Sequence, residues 1–254
     1  MICKRPLNIC SIGSAAVLAA AVSLPSSTAA AGGTFDGRWV FVQRMTSSAS
    51  VPVVGEIQAS TTVISMHDLT SAEGRLKGSG TLCHISIDSG TDLVSTILPA
   101  AFRRVMPAPE IDAQISVDDG VLRMTQARRT VVVGAQLTTP ASEDLPTKAK
   151  DPRVFDQDGD DKPGVTVRVE GIVSGSIYVV QRSWTRLDGA FLTDGSFGGK
   201  LFFGNEQVVL GSTSPFLGSP PKAKSVPEKS WYRVARLEKD ATCKDAERVA
   251  GSYL

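Results

Sequence analysis

From residue 32 onward the apolar side chains recur at every second position rather than every third or fourth, which is the period of a half-buried β-strand. Val165, Val167 and Val169 alternate with Thr166, Arg168 and Glu170. Ile111, Ala113, Ile115 and Val117 alternate with Asp112, Gln114, Ser116 and Asp118; Asp119-Gly120 then turns the chain into 121–125, the signature of a hairpin. Residues 176–182 are rich in β-formers, and 231–237 reads as a last strand. Asp188-Gly189 and Asp194-Gly195 read as punctuation, and Gly204-Asn205 as a tight turn between 201–203 and 207–210. Roughly ten or more such short strands predict an all-β fold, an antiparallel barrel or a sandwich. Beyond the N-terminal stretch, helix is expected only near 240–249, where Ala, Lys and Glu collect. Two Pro-rich stretches, 138–153 and 212–229, read as loops; the first is a place where two halves of the chain could meet.

The N-terminus has a different character. Lys4 and Arg5 precede an uncharged stretch from Pro6 to Phe35, rich in Ala, Val and Leu over 12–24, with Ala29-Ala30-Ala31 fitting a small-residue exit. This pattern predicts a signal peptide over 1–31, a single β-rich domain over 32–254, and a periplasmic or extracellular product. The uncharged run is long enough for a membrane anchor, but its Ala- and Ser-rich composition and its exit favour cleavage. After cleavage no transmembrane segment is expected. Cleavage also removes Cys3 and Cys10 and leaves Cys83 and Cys243, which are expected to pair in an oxidising compartment. Closing so long a loop is worth about 5 kcal/mol in the chain-entropy picture. Of 27 basic and 26 acidic residues, 25 and 26 remain (27 − 2 = 25), a net −1. That balance excludes a bulk polyanion such as nucleic acid as a partner.

Asp156-Gln157-Asp158-Gly159-Asp160-Asp161 is the most informative local sequence. Carboxylates at alternate positions of a Gly-containing turn converge on one hard cation, and Ca2+ takes six to eight oxygens from such loops. Asp156, Asp158, Asp160 and Asp161 are the candidate ligands, with Asp151 and Glu170 the nearest further carboxylates. A solvated β-turn is the alternative, since turns use Asp, Gly and Pro for their own reasons. The D-x-D-x-D opening resembles the calcium loops of EF-hands, dockerins and thrombospondin type 3 repeats. It departs from the EF-hand at its sixth position, Asp161 where Gly is required, and at its twelfth, Val167 where an acid is required.

Gly37-x-Trp39 on the first predicted strand resembles the G-x-W of lipocalins. That resemblance implies a barrel closed at one end by Trp39, with an arginine of the last strand, Arg233 or else Arg236, packed across it. The lipocalin T-D-x-x-Y element has no counterpart after Thr193-Asp194. More diffusely, the N-terminal stretch, the F-D-x-D-G-D-x-x-P-G-V-T loop and the strands after it resemble uncharacterised exported β-rich proteins of Gram-negative bacteria, which implies no activity.

Other chemistry is thinly represented. His67 and His84 stand outside any zinc spacing and are expected at the surface or on strand edges. No G-x-S-x-G elbow occurs, and Ser219-Pro220-Pro221-Lys222 cannot place Ser and Lys one helical turn apart. Arg103-Arg104 and Arg128-Arg129 are expected to point to opposite faces of strands and form no patch. The expected function is therefore that of an exported, non-enzymatic β-barrel or sandwich. It binds a small apolar molecule or a cell-envelope component, with Ca2+ in the acidic loop. An all-β hydrolase with glycosidase-like carboxylates such as Asp156 or Glu170 is the alternative, as is a surface module stiffened by Ca2+.

Overall fold

Alternating sequence becomes eleven strands in a computed structural model that describes residues 35–51, 55–219 and 222–254. The predicted signal peptide lies outside the described residues. The first half holds β1 (Gly37–Val51), β2 (Gly55–Ala72), β3 (Arg75–Asp88), β4 (Val94–Ile97), α1 (Ala100–Val105), β5 (Glu110–Asp118) and β6 (Val121–Val133). The second holds β7 (Val165–Gly171), β8 (Gly175–Phe191), β9 (Phe197–Ser212), β10 (Lys224–Ser225), β11 (Trp231–Arg236) and α2 (Cys243–Ala250).

Eight of the strands close into a ring. Each pairs antiparallel with the next in the order β1–β2–β3–β5–β6–β8–β9–β11, and β11 returns to β1. This is an up-and-down barrel, a topology that leaves its ring strands without an open edge where they pair on both sides. β7 and β4 extend outward from β8, and β10 pairs with β1. The β5–β6 hairpin turns through Asp119 and Gly120, both at positive φ (48° and 77°), the mirror-image turn that two-residue hairpins favour.

Two expected turns are absent, for the same physical reason. Asp188-Gly189 lies inside β8 and Gly204-Asn205 inside β9. A Cβ on Gly189 would come within 2.4 Å of the buried Tyr232 Oη, and one on Gly204 within 2.4 Å of the Trp184 indole. These glycines mark close approach of a large ring, not a change of chain direction. Asp194-Gly195 does form the β8–β9 turn, closed by Leu192 N–H donating to Ser196 O at 2.7 Å.

The barrel interior is filled by side chains, with Trp39, Phe41, Leu76, Met124, Leu201 and Tyr232 among a single buried cluster. His67 belongs inside as well, 1% exposed with its ring 4.7 Å from that of Phe41. The expectation of a surface or edge histidine fails because Ser65, His67 and Leu69 occupy the inward face of β2, while Ile64 faces out under α2. α2 covers Val40, Val42 and Ile64, and the Cys83–Cys243 disulfide (S–S 2.05 Å) fastens its first residue to β3. α1, unforeseen because six residues carry too little periodicity, seats Phe102 against Val133, Val165 and Val179. Within the 138–153 loop, Leu145 packs with Leu137 on the outer side of Val180.

At one barrel end Trp39 and Arg236 are cross-strand neighbours, and the guanidinium lies 4.8 Å over the indole. Arg233, the arginine singled out for this place, does not fill it. Side chains alternate along β11, so Tyr232, Val234 and Arg236 share the inner face while Arg233 lies on the outer one, against Gly198.

Candidate metal centre

The acidic loop sits where the chain leaves the 134–164 segment to enter β7. Gln157 N–H donates to Gly164 O and Gly164 N–H to Phe155 O, both at 3.0 Å, so the loop closes on itself. The Gln157 side chain anchors it: its Oε1 accepts from Gly134 N–H at 2.6 Å and its Nε2 donates to Val105 O at 3.0 Å. β6, α1 and the loop thus meet at one amide, a role that no local pattern around Gln157 announces.

Asp156, Asp158 and Asp160 each bring a carboxylate oxygen within 4.8 Å of the others, a group able to hold a metal ion. Asp156 accepts from Gly159 N–H (2.8 Å), Asp160 N–H (3.2 Å) and Asp161 N–H (2.8 Å). Asp158 Oδ2 accepts from Thr166 N–H at 2.9 Å, and Asp160 Oδ2 from the Thr166 hydroxyl at 2.5 Å. The first residues of β7 therefore orient two of the three acids. Asp158 Oδ1 is shut off from solvent and has no hydrogen-bond partner.

Asp161 does not join the three. Its backbone takes φ +63° and donates its N–H to Asp156, which makes it part of the loop's framework. The two further carboxylates also stand apart. Asp151 is held by Arg153 at 2.8 Å, which keeps its pKa down at about 2, and Glu170 lies four residues beyond Thr166 on β7, about 13 Å along the strand. No family model, curated protein or solved structure matches this chain.

Electrostatics separates Asp158 from Asp156. Burial pushes the Asp158 carboxyl above its usual range, with the charges of Asp160 and Asp156 adding to it and the Thr166 N–H opposing. Burial acts the same way on Asp156, but the N–H groups of Asp161, Asp160 and Gly159 outweigh it and hold that carboxyl below the usual range. Lys162, the nearest cation in sequence, turns its ammonium toward the Tyr178 ring at 6.0 Å. Three acids crowd together, and the cation beside them is occupied elsewhere. A divalent ion among them would gain three hard oxygen ligands and relieve their mutual repulsion.

Proposed function

We propose that this chain is an exported, non-enzymatic β-barrel module in which one Ca2+ bound by Asp156, Asp158 and Asp160 stiffens the junction of β6, α1 and β7. The observation that carries the reading is Asp158 Oδ1, a buried oxygen with no donor, standing among two further carboxylates. A buried carboxylate oxygen without a partner is costly, and a hard cation is the group that best repays it there. Waters and backbone carbonyls complete the shell that Ca2+ needs. Export is supported by the disulfide, which suits an oxidising compartment. No helix among the described residues is long and apolar enough to cross a membrane.

Of the two partner classes that the sequence raises, a cell-envelope component met at the outer surface fits better than a small apolar molecule held inside. The inner face around Phe41, Met124 and Tyr232 is already occupied by side chains. The Trp39–Arg236 contact resembles the closed end of a lipocalin, and here it seals a packed core.

Thermal unfolding in millimolar Ca2+ and in chelator tests the metal. Ca2+ at about a hundred times its Kd adds about 2.7 kcal/mol, which for a domain of this size raises Tm by about 5–10 °C. Asp158→Asn should abolish the rise. An unchanged midpoint in millimolar Ca2+ would remove the ion from the proposal.

A further inference from the structure

Arg128 and Arg129, expected on opposite faces of a strand, line the same groove instead. Pairing of β5 with β6 ends at Gln126, and pairing of β6 with β8 shifts register between Gln126 and Arg129. The bulge breaks the alternation that would have separated the two arginines. On the outer wall there, two adjoining hollows of about 620 and 550 Å³ share Arg75, Asp112, Gln126 and Ala127. Five cations border them: Arg75, Lys77, Arg128, Arg129 and Arg186. Three carboxylates oppose these, Glu73, Glu110 and Asp112.

The cations fall into two groups. Arg75 pairs with Asp112 at 2.6 Å and Arg129 with Glu110 at 2.8 Å. Lys77, Arg128 and Arg186 pair with no carboxylate among the described residues. The Arg128 guanidinium lies 4.4 Å over the Trp184 ring and that of Arg186 lies 4.0 Å over Phe202. Each guanidinium is thus backed by an aromatic ring, and a guanidinium so supported is suited to receive an anion bidentately. Trp184 is itself seated over Gly204, so this platform has a fixed backing.

We propose that this groove binds an acidic polysaccharide, its uronate carboxylates on Arg128, Arg186 and Lys77. Two connected hollows exceed what a single small anion fills, which favours an extended chain. Between the cations, Ser79, Gln114 and Thr125 supply hydroxyl and amide groups that match sugar hydroxyls. β5 is paired on both sides only at Ala113 and Gln114, so an acidic peptide using main-chain groups at the unpaired stretch is the rival that polyglutamate tests below. Duplex nucleic acid calls for a basic field over many phosphates, against this chain's 27 basic and 26 acidic residues. The inference rests on the surface-binding reading above and is independent of Ca2+.

The test is equilibrium binding of the full chain to polygalacturonate, with neutral dextran, polyglutamate and duplex DNA as comparisons, in low salt and in chelator. Polygalacturonate should bind and dextran should not, chelator should change nothing, and added salt should weaken the complex. The double variant Arg128→Gln with Arg186→Gln should lose about tenfold or more in affinity. Lys77→Gln, on a different strand, should lose several-fold and serves if the double variant misfolds. Absence of polygalacturonate binding, equal binding by both variants, or equally tight binding of polyglutamate or DNA would overturn the proposal. The Ca2+-dependent shift in Tm, measured on the same protein, reports on the acidic loop alone, so either reading can fail without the other.

Discussion

His67 holds a basic side chain where water does not reach. Burial, with a further contribution from the Arg129 charge, lowers its pKa from 6.5 to about 4. Nε2 is 2.8 Å from Ser65 Oγ, while Nδ1 is buried without a partner. Below pH 6.5 the unfolded chain takes up a proton that the folded barrel refuses. Stability from this group is thus full above its ordinary value and falls by about 3 kcal/mol as pH drops to about 4. Urea unfolding at pH 7 and pH 4.5 should show His67→Leu losing less stability than the parent chain, and an equal loss in both would contradict the assignment. Gly189 makes a second prediction at this scale. Gly189→Ala drives a methyl group against Tyr232 Oη and should destabilise by about 1–3 kcal/mol in the same assay. Neither residue declared its place in the sequence. Ser65, His67 and Leu69 look like the wetter face of β2 beside Ile64 and Met66, and only the helix laid over the latter pair reverses that assignment.

Among elements, α2 was the more legible helix and α1 the less so. Thr242 begins α2 with a capping box, its N–H and hydroxyl both donating to Asp245 Oδ2 at 2.9 and 2.8 Å. Those donors, the Thr242 N–H first, hold Asp245 down at a pKa of about 2. The helix spans barely two turns, so its stability comes from the apolar contacts under Ala246 and Ala250 and from the disulfide. With the cysteines 160 positions apart, the bond removes about 5 kcal/mol of loop entropy from the unfolded chain. Reduction, or Cys83→Ser, should therefore lower Tm by on the order of 10 °C. A midpoint unmoved by reductant would mean that the packing of α2 suffices without the bond. Setting aside the two cysteines of the N-terminal stretch was enough to find this bridge, and a contiguous D-x-D-x-D was enough to find the acid cluster. Contacts that join distant stretches were not: Gln157 to Val105, or Arg236 rather than Arg233 over Trp39.

At the scale of the molecule, alternation identified strands but could not choose between a barrel and a sandwich, because both present one face inward. The choice lies in the β1–β11 ladder, where Trp39 meets Arg236 and Arg44 meets Trp231. β1, β2 and β8 are paired on both sides over more than half of their length, whereas β4 and β10 are short and attached at one edge. Amide hydrogen exchange should accordingly be slowest in β1 and β8 and fastest in β4 and β10; protection of β10 equal to that of β1 would contradict this ordering. The ladder that closes the ring also joins almost the first described residues to almost the last. While the chain is being made, β1 stands with one bare edge until the residues of β11 have emerged. Late, long-range closure of this kind makes for slow folding and a prolonged interval in which other chains can pair with that edge.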